Sequence, residues 1–90
     1  MSNKMTLKII NEKGLHARAS AKLVETVEAH DASAEVSKDG LSASGDSIMG
    51  LLMLAASKGT SIEVETSGPE AEKLAVALET LIADRFGEKF

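Results

Sequence analysis

The 90-residue sequence predicts an α+β fold of two layers, in which helices cover one face of a single antiparallel sheet. Apolar residues make up 43% of the chain, which is enough to form a core. Three of the four predicted strands alternate apolar and polar side chains, so each has one face suited to burial. Helical segments interrupt and follow these strands in the order β-α-β-β-α-β-α. Such one-sided elements bury their apolar faces by stacking as two layers.

The first strand and the first helix are separated by a polar loop. Apolar side chains alternate over Met5–Ile10, which predicts the strand, and the loop Asn11–Gly14 follows. From Ala17 the apolar positions recur with the helical period, and His30-Asp31 ends the helix. Its predicted inner face consists of Ala17, Ser20, Leu23, Val24 and Val27.

A hairpin is predicted after the first helix. Residues 32–37 alternate, with Ala34 and Val36 on the apolar side. Asp39-Gly40 is a strong signal for a two-residue hairpin turn. The third strand, near Leu41 to Ser44, is predicted to be short and weakly apolar.

The middle helix is predicted from the apolar run Ile48–Leu54, for which Ser47 is a favourable N-cap. The run is apolar on all sides, and a small domain cannot bury such a helix completely. Gly50, Leu51 and Leu54 share one face. The opposite arc consists of Ile48, Met49, Leu52 and Met53. From the residues alone, two interpretations stay open: both arcs are core, or the second arc is a docking surface rich in flexible methionine.

The last strand and the last helix have the clearest patterns. Residues 62–65 alternate apolar and acidic side chains, which predicts the fourth strand. Gly68-Pro69 indicates a helix start with proline in the first turn, and the acidic Glu70 and Glu72 suit the helix dipole there. The predicted inner stripe consists of Ala71, Leu74, Ala75, Leu78, Leu81 and Ile82.

Composition excludes several classes of protein. The chain has no cysteine and two histidines, so we expect no disulfide and no metal site. A net charge of −4 with 2% aromatic residues argues against nucleic-acid binding. No apolar run approaches the ~20 residues that span a bilayer, and no signal-like segment follows Met1. We expect one cytoplasmic domain over 1–90, with an aliphatic core because Phe86 and Phe90 lie at the C-terminus.

One segment, Gly14-Leu15-His16-Ala17-Arg18, carries candidate chemistry. The imidazole falls at a helix N-terminus, where free backbone N–H groups and the dipole form an anion site. A neutral imidazole accepts a phosphoryl group, and an arginine and amides then hold its oxygens. On position alone, His16 is equally well a surface histidine, and Arg18 a solvated helix residue. We interpret His30 as a solvent-facing residue at a helix C-terminus.

The chain resembles the HPr family of phosphocarrier proteins, which belong to the bacterial phosphoenolpyruvate-dependent phosphotransferase system and its nitrogen-related branch. The resemblance runs from about Met5 to Ile82. Two segments carry it: Gly14-Leu15-His16-Ala17-Arg18, and Ser47-Ile48-Met49-Gly50-Leu51-Leu52-Met53-Leu54 closed by Lys58-Gly59. The family usually has a proline after the arginine, where this chain has Ala19. An extra N–H is therefore present in the first turn, directed to the phosphate or to water.

The resemblance implies an open-faced sandwich with a four-stranded antiparallel sheet and three helices on one face. It implies that His16 takes the phosphoryl group from enzyme I and passes it to an IIA-type protein. Arg18 and the backbone of Ala17 and Arg18 would hold the phosphate. Ser47 is implied as a regulatory site for an HPr kinase/phosphorylase. The partner-docking surface would comprise Ile48, Met49, Leu52 and Met53.

The expected protein is thus a monomeric carrier without a cofactor, rather than an enzyme. Two other function classes stay open. One is a regulatory protein-binding module, in which His16 has no chemical role. The other is a small-ligand sensor built on the same sheet. Ser20, on the inner face of its helix, is predicted to bond a carbonyl one turn earlier.

Overall fold

The computed structural model describes residues 2–90 and confirms the predicted α+β class and element order. The strands are β1 (Ser2–Lys8), β2 (Ser33–Lys38), β3 (Leu41–Ser44) and β4 (Ser61–Ser67), and the helices are α1 (Ala17–Glu28), α2 (Ile48–Met53) and α3 (Ala71–Ala83). A 3₁₀ turn at Arg85–Gly87, which the sequence pattern did not predict, follows α3. In the part of the chain from residue 2 to 90, no helix has the length and hydropathy needed to cross a bilayer.

The sheet has the order β1-β4-β2-β3, with every neighbouring pair antiparallel. One row of side chains crosses all four strands, because Val64 pairs with Met5 on one side and with Val36 on the other, and Val36 pairs with Ala43. The helices pack on this apolar face: α3 contacts β1 and β4, α2 contacts β3, and α1 contacts both other helices. The predicted two-layer architecture is therefore correct.

The hairpin between β2 and β3 has the predicted turn. Asp39 and Gly40 both have positive φ angles, 50° and 82°, as a two-residue type I′ turn requires. Lys38 pairs directly with Leu41 across the turn. This short connection brings β3 to the free edge of the sheet, beside α2.

Two details of the predicted core are wrong. Ala17 is exposed, and Ala19 is fully buried instead. Because α1 packs against both α2 and α3, its buried arc depends on two neighbours, which the periodicity of a single helix does not contain. The core is also not purely aliphatic, since the ring of Phe86 is fully buried. The turn after α3 places this ring in the core, beyond the last periodic residue.

The start of α3 also differs from the prediction. Glu70 is the N-cap and Pro69 precedes it, so the proline lies outside the first turn. The Glu70 carboxylate accepts a bond from the Asp31 amide at 2.7 Å, while the Glu70 amide donates to the Asp31 carbonyl at 3.0 Å. These bonds tie the start of α3 to the turn after α1. The pKa of the Glu70 carboxyl group is lowered, and the bond that it accepts from the Asp31 amide is the largest cause.

The loop before α1 is pressed against the chain that follows α2. The Leu15 amide donates to the Ala56 carbonyl at 2.8 Å. Gly14 has a φ of +67°, and a Cβ added there would lie 2.5 Å from the Ala56 oxygen and 2.9 Å from Ser57 Cα. Only glycine fits this position, because the crowding atoms are backbone.

We expect Gly14→Ala to destabilise the fold more than Gly40→Ala, as measured by urea unfolding. Both positions have positive φ, so each substitution carries strain of about 1–2 kcal/mol. A Cβ at Gly40 has no atom within 4 Å, whereas a Cβ at Gly14 displaces the backbone at Ala56. Equal losses in the two variants would contradict the close packing of this loop.

Candidate functional site

His16 is the N-cap of α1, with extended backbone angles of φ −78° and ψ −177°. Its side chain forms no capping bond to the helix and remains 27% exposed. The first intrahelical bond runs from the Ser20 amide to the His16 carbonyl at 2.8 Å. Within residues 2–90, the amides of Ala17, Arg18 and Ala19 have no hydrogen-bond acceptor. The imidazole therefore lies beside three free N–H donors at the positive end of a helix.

The two residues after Arg18 support this start of the helix. The Ala19 amide is one of the three free donors, and its methyl group is fully buried. The buried Ser20 hydroxyl donates to the Leu15 carbonyl at 3.3 Å. The predicted bond to an earlier carbonyl is therefore present, although its acceptor lies in the loop, five residues back. The bond connects the first turn of α1 to the loop that carries His16.

Arg18 is exposed and, in the described chain, forms no salt bridge. It lines a cleft of about 550 Å³ next to the site. The residues around this cleft are Glu12, Lys13, Arg18, Glu88, Lys89 and Phe90. A guanidinium without a carboxylate partner is available to an anion that enters beside the start of α1.

Glu88 is part of the site, and the sequence analysis did not identify it. One oxygen of its carboxylate, Oε2, contacts Nε2 of His16. The other oxygen, Oε1, accepts a bond from Nδ2 of Asn11 at 3.0 Å. Glu88 follows the last helix, where no periodic pattern indicates which side chain points inward. The charge of the residue was the only signal available, and many surface residues share it.

Asn11 connects the loop to the C-terminal segment. Its side chain is fully buried, and Nδ2 donates both to the Gly14 carbonyl at 2.8 Å and to Glu88. Both partners are acceptors, so they determine the orientation of the amide group. Among residues 2–90, the Oδ1 atom has no hydrogen-bond partner. Asn11 thus holds the turn before His16 and the carboxylate that contacts its ring.

The segment after α3, residues 84–90, is bound to the rest of the molecule at several points. The Phe86 ring is buried, and the Phe86 carbonyl accepts a bond from Lys22 Nζ at 2.6 Å. The Glu12 amide donates to the Phe90 carbonyl at 3.0 Å. These contacts, on both sides of Glu88, fix the position of its carboxylate beside His16.

Ser47 is the predicted N-cap of α2, and its hydroxyl oxygen accepts a bond from the Gly50 amide at 3.0 Å. Leu51 and Leu54 are core residues. On the opposite arc, Met49 is 71% and Met53 is 74% exposed. Ile48 is also exposed and Leu52 is half-buried, so the interpretation that both arcs are core is wrong. The second arc faces solvent.

This apolar arc is continuous with the site. His16 and Leu52 line one shallow cleft of about 260 Å³ between the loop and the end of α2. The remaining residues around it are Lys13, Leu15, Ala55, Ala56 and Ser57. A partner that covers the arc therefore also reaches the imidazole.

The other histidine lies outside this site. His30 follows α1, is half-buried, and its Nδ1 lies 2.7 Å from the Thr26 carbonyl oxygen. The structure of residues 2–90 contains no cluster of histidine and acidic side chains that would hold a metal ion. The site brings together His16, Arg18, Asn11 and Glu88.

Comparisons with known proteins identify the family to which the chain is similar. The chain matches the PTS-HPr family, described as the PTS HPr component phosphorylation site, over residues 3–84. It is 47% identical over 85 residues to the phosphocarrier protein HPr of Neisseria meningitidis serogroup A, covering 94% of this chain and 96% of that protein. It is 39% identical over 89 residues to the phosphocarrier protein NPr of Escherichia coli K12, covering 98% and 99%.

A solved structure has the same fold. The crystal structure of HPr-C-His from Thermoanaerobacter tengcongensis superposes with a TM-score of 0.92 at 34% identity, covering 98% of this chain and 99% of that chain. The strand order and the helix layer described above are therefore those of a known phosphocarrier structure.

The environment of Glu88 predicts a pH-dependent contribution to stability. Partial burial raises the pKa of this carboxyl group, but the hydrogen bonds from His16 and Asn11 and the charges of His16 and Lys13 outweigh it, so the pKa lies below its ordinary value of 4.5. A lowered pKa stabilises the folded state fully above pH 4.5, and this stabilisation is lost as the pH falls through the folded-state pKa.

We expect wild type to be more stable than Glu88→Gln at pH 7, with the difference shrinking to zero as Glu88 protonates. Urea unfolding at a series of pH values measures it. Glu79→Gln, an exposed position on α3, is the matched control and should show no such trend. A difference between wild type and Glu88→Gln that stays constant down to pH 3 would contradict the assignment.

Proposed function

Since the chain belongs to the HPr family of phosphocarrier proteins of the phosphotransferase system, we propose that its phosphoryl group is carried on His16. The donor is enzyme I and the acceptor is an IIA-type protein. The observation that supports this most is the position of His16 at the start of α1, beside three free amides and the unpaired Arg18. The protein is then a co-substrate of phosphotransferase enzymes rather than a catalyst.

The ring nitrogens of His16 have different surroundings. Nε2 contacts Glu88, while Nδ1 has no hydrogen-bond partner among the described residues. In the proposed transfer, the Nδ1 lone pair attacks the phosphorus of a phosphohistidine on enzyme I. The new N–P bond forms in line as the donor N–P bond breaks, and the electron pair of that bond returns to the donor ring. Positioning and charge stabilisation supply most of the acceleration.

The incoming phosphoryl group brings two negative charges to the start of α1. The amides of Ala17, Arg18 and Ala19 offer hydrogen bonds, and the helix dipole has its positive end there. The Arg18 guanidinium adds a charge-assisted partner. Because His16 and Arg18 remain partly or wholly exposed, these interactions are screened by water. This suits a carrier, which has to release the group to its acceptor.

The exposed arc of α2 is the proposed docking surface for both partners. It consists of Ile48, Met49, Leu52 and Met53. Ser47 caps the same helix, so a phosphate added there by an HPr kinase/phosphorylase would lie at a helix N-terminus beside this arc. The added charge would weaken docking without unfolding the domain, because it is compatible with the helix dipole.

We further propose that residues 1–90 act as one domain, in the cytoplasm and as a monomer. Enzyme I draws its phosphoryl group from phosphoenolpyruvate, which is a cytoplasmic metabolite, so the carrier has to meet it in that compartment. Light scattering of the purified chain measures its oligomeric state.

Incubation with enzyme I and labelled phosphoenolpyruvate tests the proposed function. We expect one acid-labile, alkali-stable phosphate per chain in wild type and in His30→Ala, and none in His16→Ala. Arg18→Ala should accept phosphate about 10- to 100-fold more slowly, which corresponds to one lost charged hydrogen bond of about 1.5–3 kcal/mol.

Label on His16→Ala would refute the proposed site. A wild-type chain that binds enzyme I but takes no phosphate would instead favour the regulatory binding module. A chain that neither binds enzyme I nor takes phosphate, and is stabilised by a small metabolite in a thermal-shift screen, would favour the ligand sensor. When transfer occurs, repeating the assay with sugar-branch and nitrogen-branch IIA proteins identifies the acceptor.

The docking surface has its own test. We expect Met49→Glu and Leu52→Glu to weaken enzyme I binding at least tenfold in calorimetry, because each places a charge in an apolar interface. The stability of Met49→Glu should stay within about 0.5 kcal/mol of wild type, since the side chain is exposed. Val76→Glu, at an exposed position on α3, is the control and should bind normally. Stability losses that parallel the binding losses would identify these side chains as core.

A further inference from the structure

We propose that Glu88 is a positioning residue for His16: its carboxylate accepts a hydrogen bond from the Nε2–H group of the neutral imidazole and so keeps Nδ1 unprotonated at the start of α1. This inference rests on the proposed function, because it concerns the same ring. It goes beyond that function by assigning a role to the segment after α3. Three features support this role: the hydrogen bonds of the carboxylate, the anchoring of the segment, and the surrounding charges.

The hydrogen bonds determine which nitrogen carries the proton. An ionised carboxylate is only an acceptor, so the contact between Glu88 Oε2 and His16 Nε2 requires a proton on Nε2. A neutral imidazole has one ring proton, and placing it on Nε2 leaves the lone pair on Nδ1. Glu88 Oε1 is already occupied by Asn11 Nδ2, so the carboxylate cannot rotate freely. The ring is thus held in the tautomer that the transfer needs.

The anchoring of the segment makes this contact a fixed part of the site. Phe86 is buried on one side of Glu88, and the Phe86 carbonyl accepts a bond from Lys22. On the other side, the Phe90 carbonyl accepts a bond from the Glu12 amide. The Glu88 side chain is 16% exposed, less than the ring it contacts. A group held in this way orients a reacting side chain, and no conformational entropy of the segment is lost when a partner binds.

The surrounding charges keep Glu88 ionised. It faces the His16 ring and the Asn11 amide directly, and the cleft beside it is lined by Lys13, Arg18, Lys89 and Glu12. Its pKa is lowered, because the hydrogen bonds from His16 and Asn11 and the charge of Lys13 act against partial burial. At neutral pH the group is therefore an acceptor, as the proposed role requires.

The transfer balances without any proton movement. As Nδ1 forms its bond to phosphorus, the proton stays on Nε2 and the ring becomes cationic. The donor ring, which carries a proton on its other nitrogen, takes back the electron pair of its broken N–P bond and becomes neutral. Glu88 then faces the positive edge of the His16 ring, while the phosphoryl oxygens lie toward the α1 amides and Arg18. The carboxylate therefore stabilises the charge that develops on the ring during transfer.

Replacing Glu88 by glutamine tests the proposal, because the glutamine amide has an oxygen that accepts and a nitrogen that donates hydrogen bonds. Asn11 Nδ2 is a donor, so the glutamine oxygen takes the Oε1 position and its NH₂ group faces His16 Nε2. Nε2 of His16 must then accept a hydrogen bond from this NH₂ group, so the ring proton moves to Nδ1. Glu88→Ala removes the contact and leaves both tautomers accessible. Glu79→Gln on α3 is the matched control.

Nitrogen-15 NMR of the isolated full chain at pH 8 reads the tautomer directly. We expect the Nε2–H form in wild type and Glu79→Gln, the Nδ1–H form in Glu88→Gln, and a mixture in Glu88→Ala. In the enzyme I assay, Glu88→Gln should accept phosphate at least tenfold more slowly than wild type, and more slowly than Glu88→Ala. A structural role alone would make the alanine variant the slower of the two.

Two results would overturn the inference: the same tautomer in wild type and Glu88→Gln, or a changed tautomer with an unchanged rate. Urea unfolding of each variant tests whether the fold is retained. We expect the glutamine variant to keep the hydrogen bond from Asn11. Wild type that takes no phosphate would refute the proposed function, while the NMR measurement, which needs no partner, would still decide the hydrogen-bond assignment.

Discussion

The site depends on the packing of the Gly14-Leu15 loop against the end of α2. The hydrogen bond from the Leu15 amide to the Ala56 carbonyl, together with the close approach at Gly14, fixes the point at which α1 begins. Consequently His16 becomes the N-cap, the first-turn amides stay free, and the ring lies next to the apolar arc of α2. One backbone contact thus aligns the ring that is proposed to accept the phosphoryl group with the surface on which partners are proposed to dock.

The ring of His16 lies between two opposite electrostatic environments. On one side are the N-terminal amides of α1 and Arg18, which favour negative charge. On the other side is the carboxylate of Glu88, which favours positive charge on the ring. If His16 carries the phosphoryl group as proposed, this arrangement separates the charges of the phosphorylated imidazolium instead of neutralising them at one point. Only short segments are needed: a loop, the first turn of a helix and a C-terminal segment.

Much of this molecule was predictable from local pattern, and what was missed has physical causes. Alternation, helical periodicity, the apolar run of α2 and the Asp39-Gly40 turn predicted the four strands and the three α-helices. The motif around His16 and Arg18 indicated where the proposed site lies. Periodicity states which face of an element is apolar, but not which element covers it, so the position of β4 between β1 and β2 did not follow. Glu88 and Phe86 follow the last helix, where Arg85 and Phe86 have positive φ and no repeat indicates direction. For Phe86, the available clue was that both aromatic residues of the chain lie in this C-terminal segment.

The central position of β4 has a consequence for folding during synthesis. β1 and β2 are not neighbours in the sheet. Both pair with β4, which is complete only when residue 67 has been synthesised. Until then the only sheet that the nascent chain can form is the β2–β3 hairpin, which is marginally stable on its own and cannot hold the core. We therefore expect native structure to form late and in one cooperative step, because contacts between residues far apart in the sequence have to form at the same time.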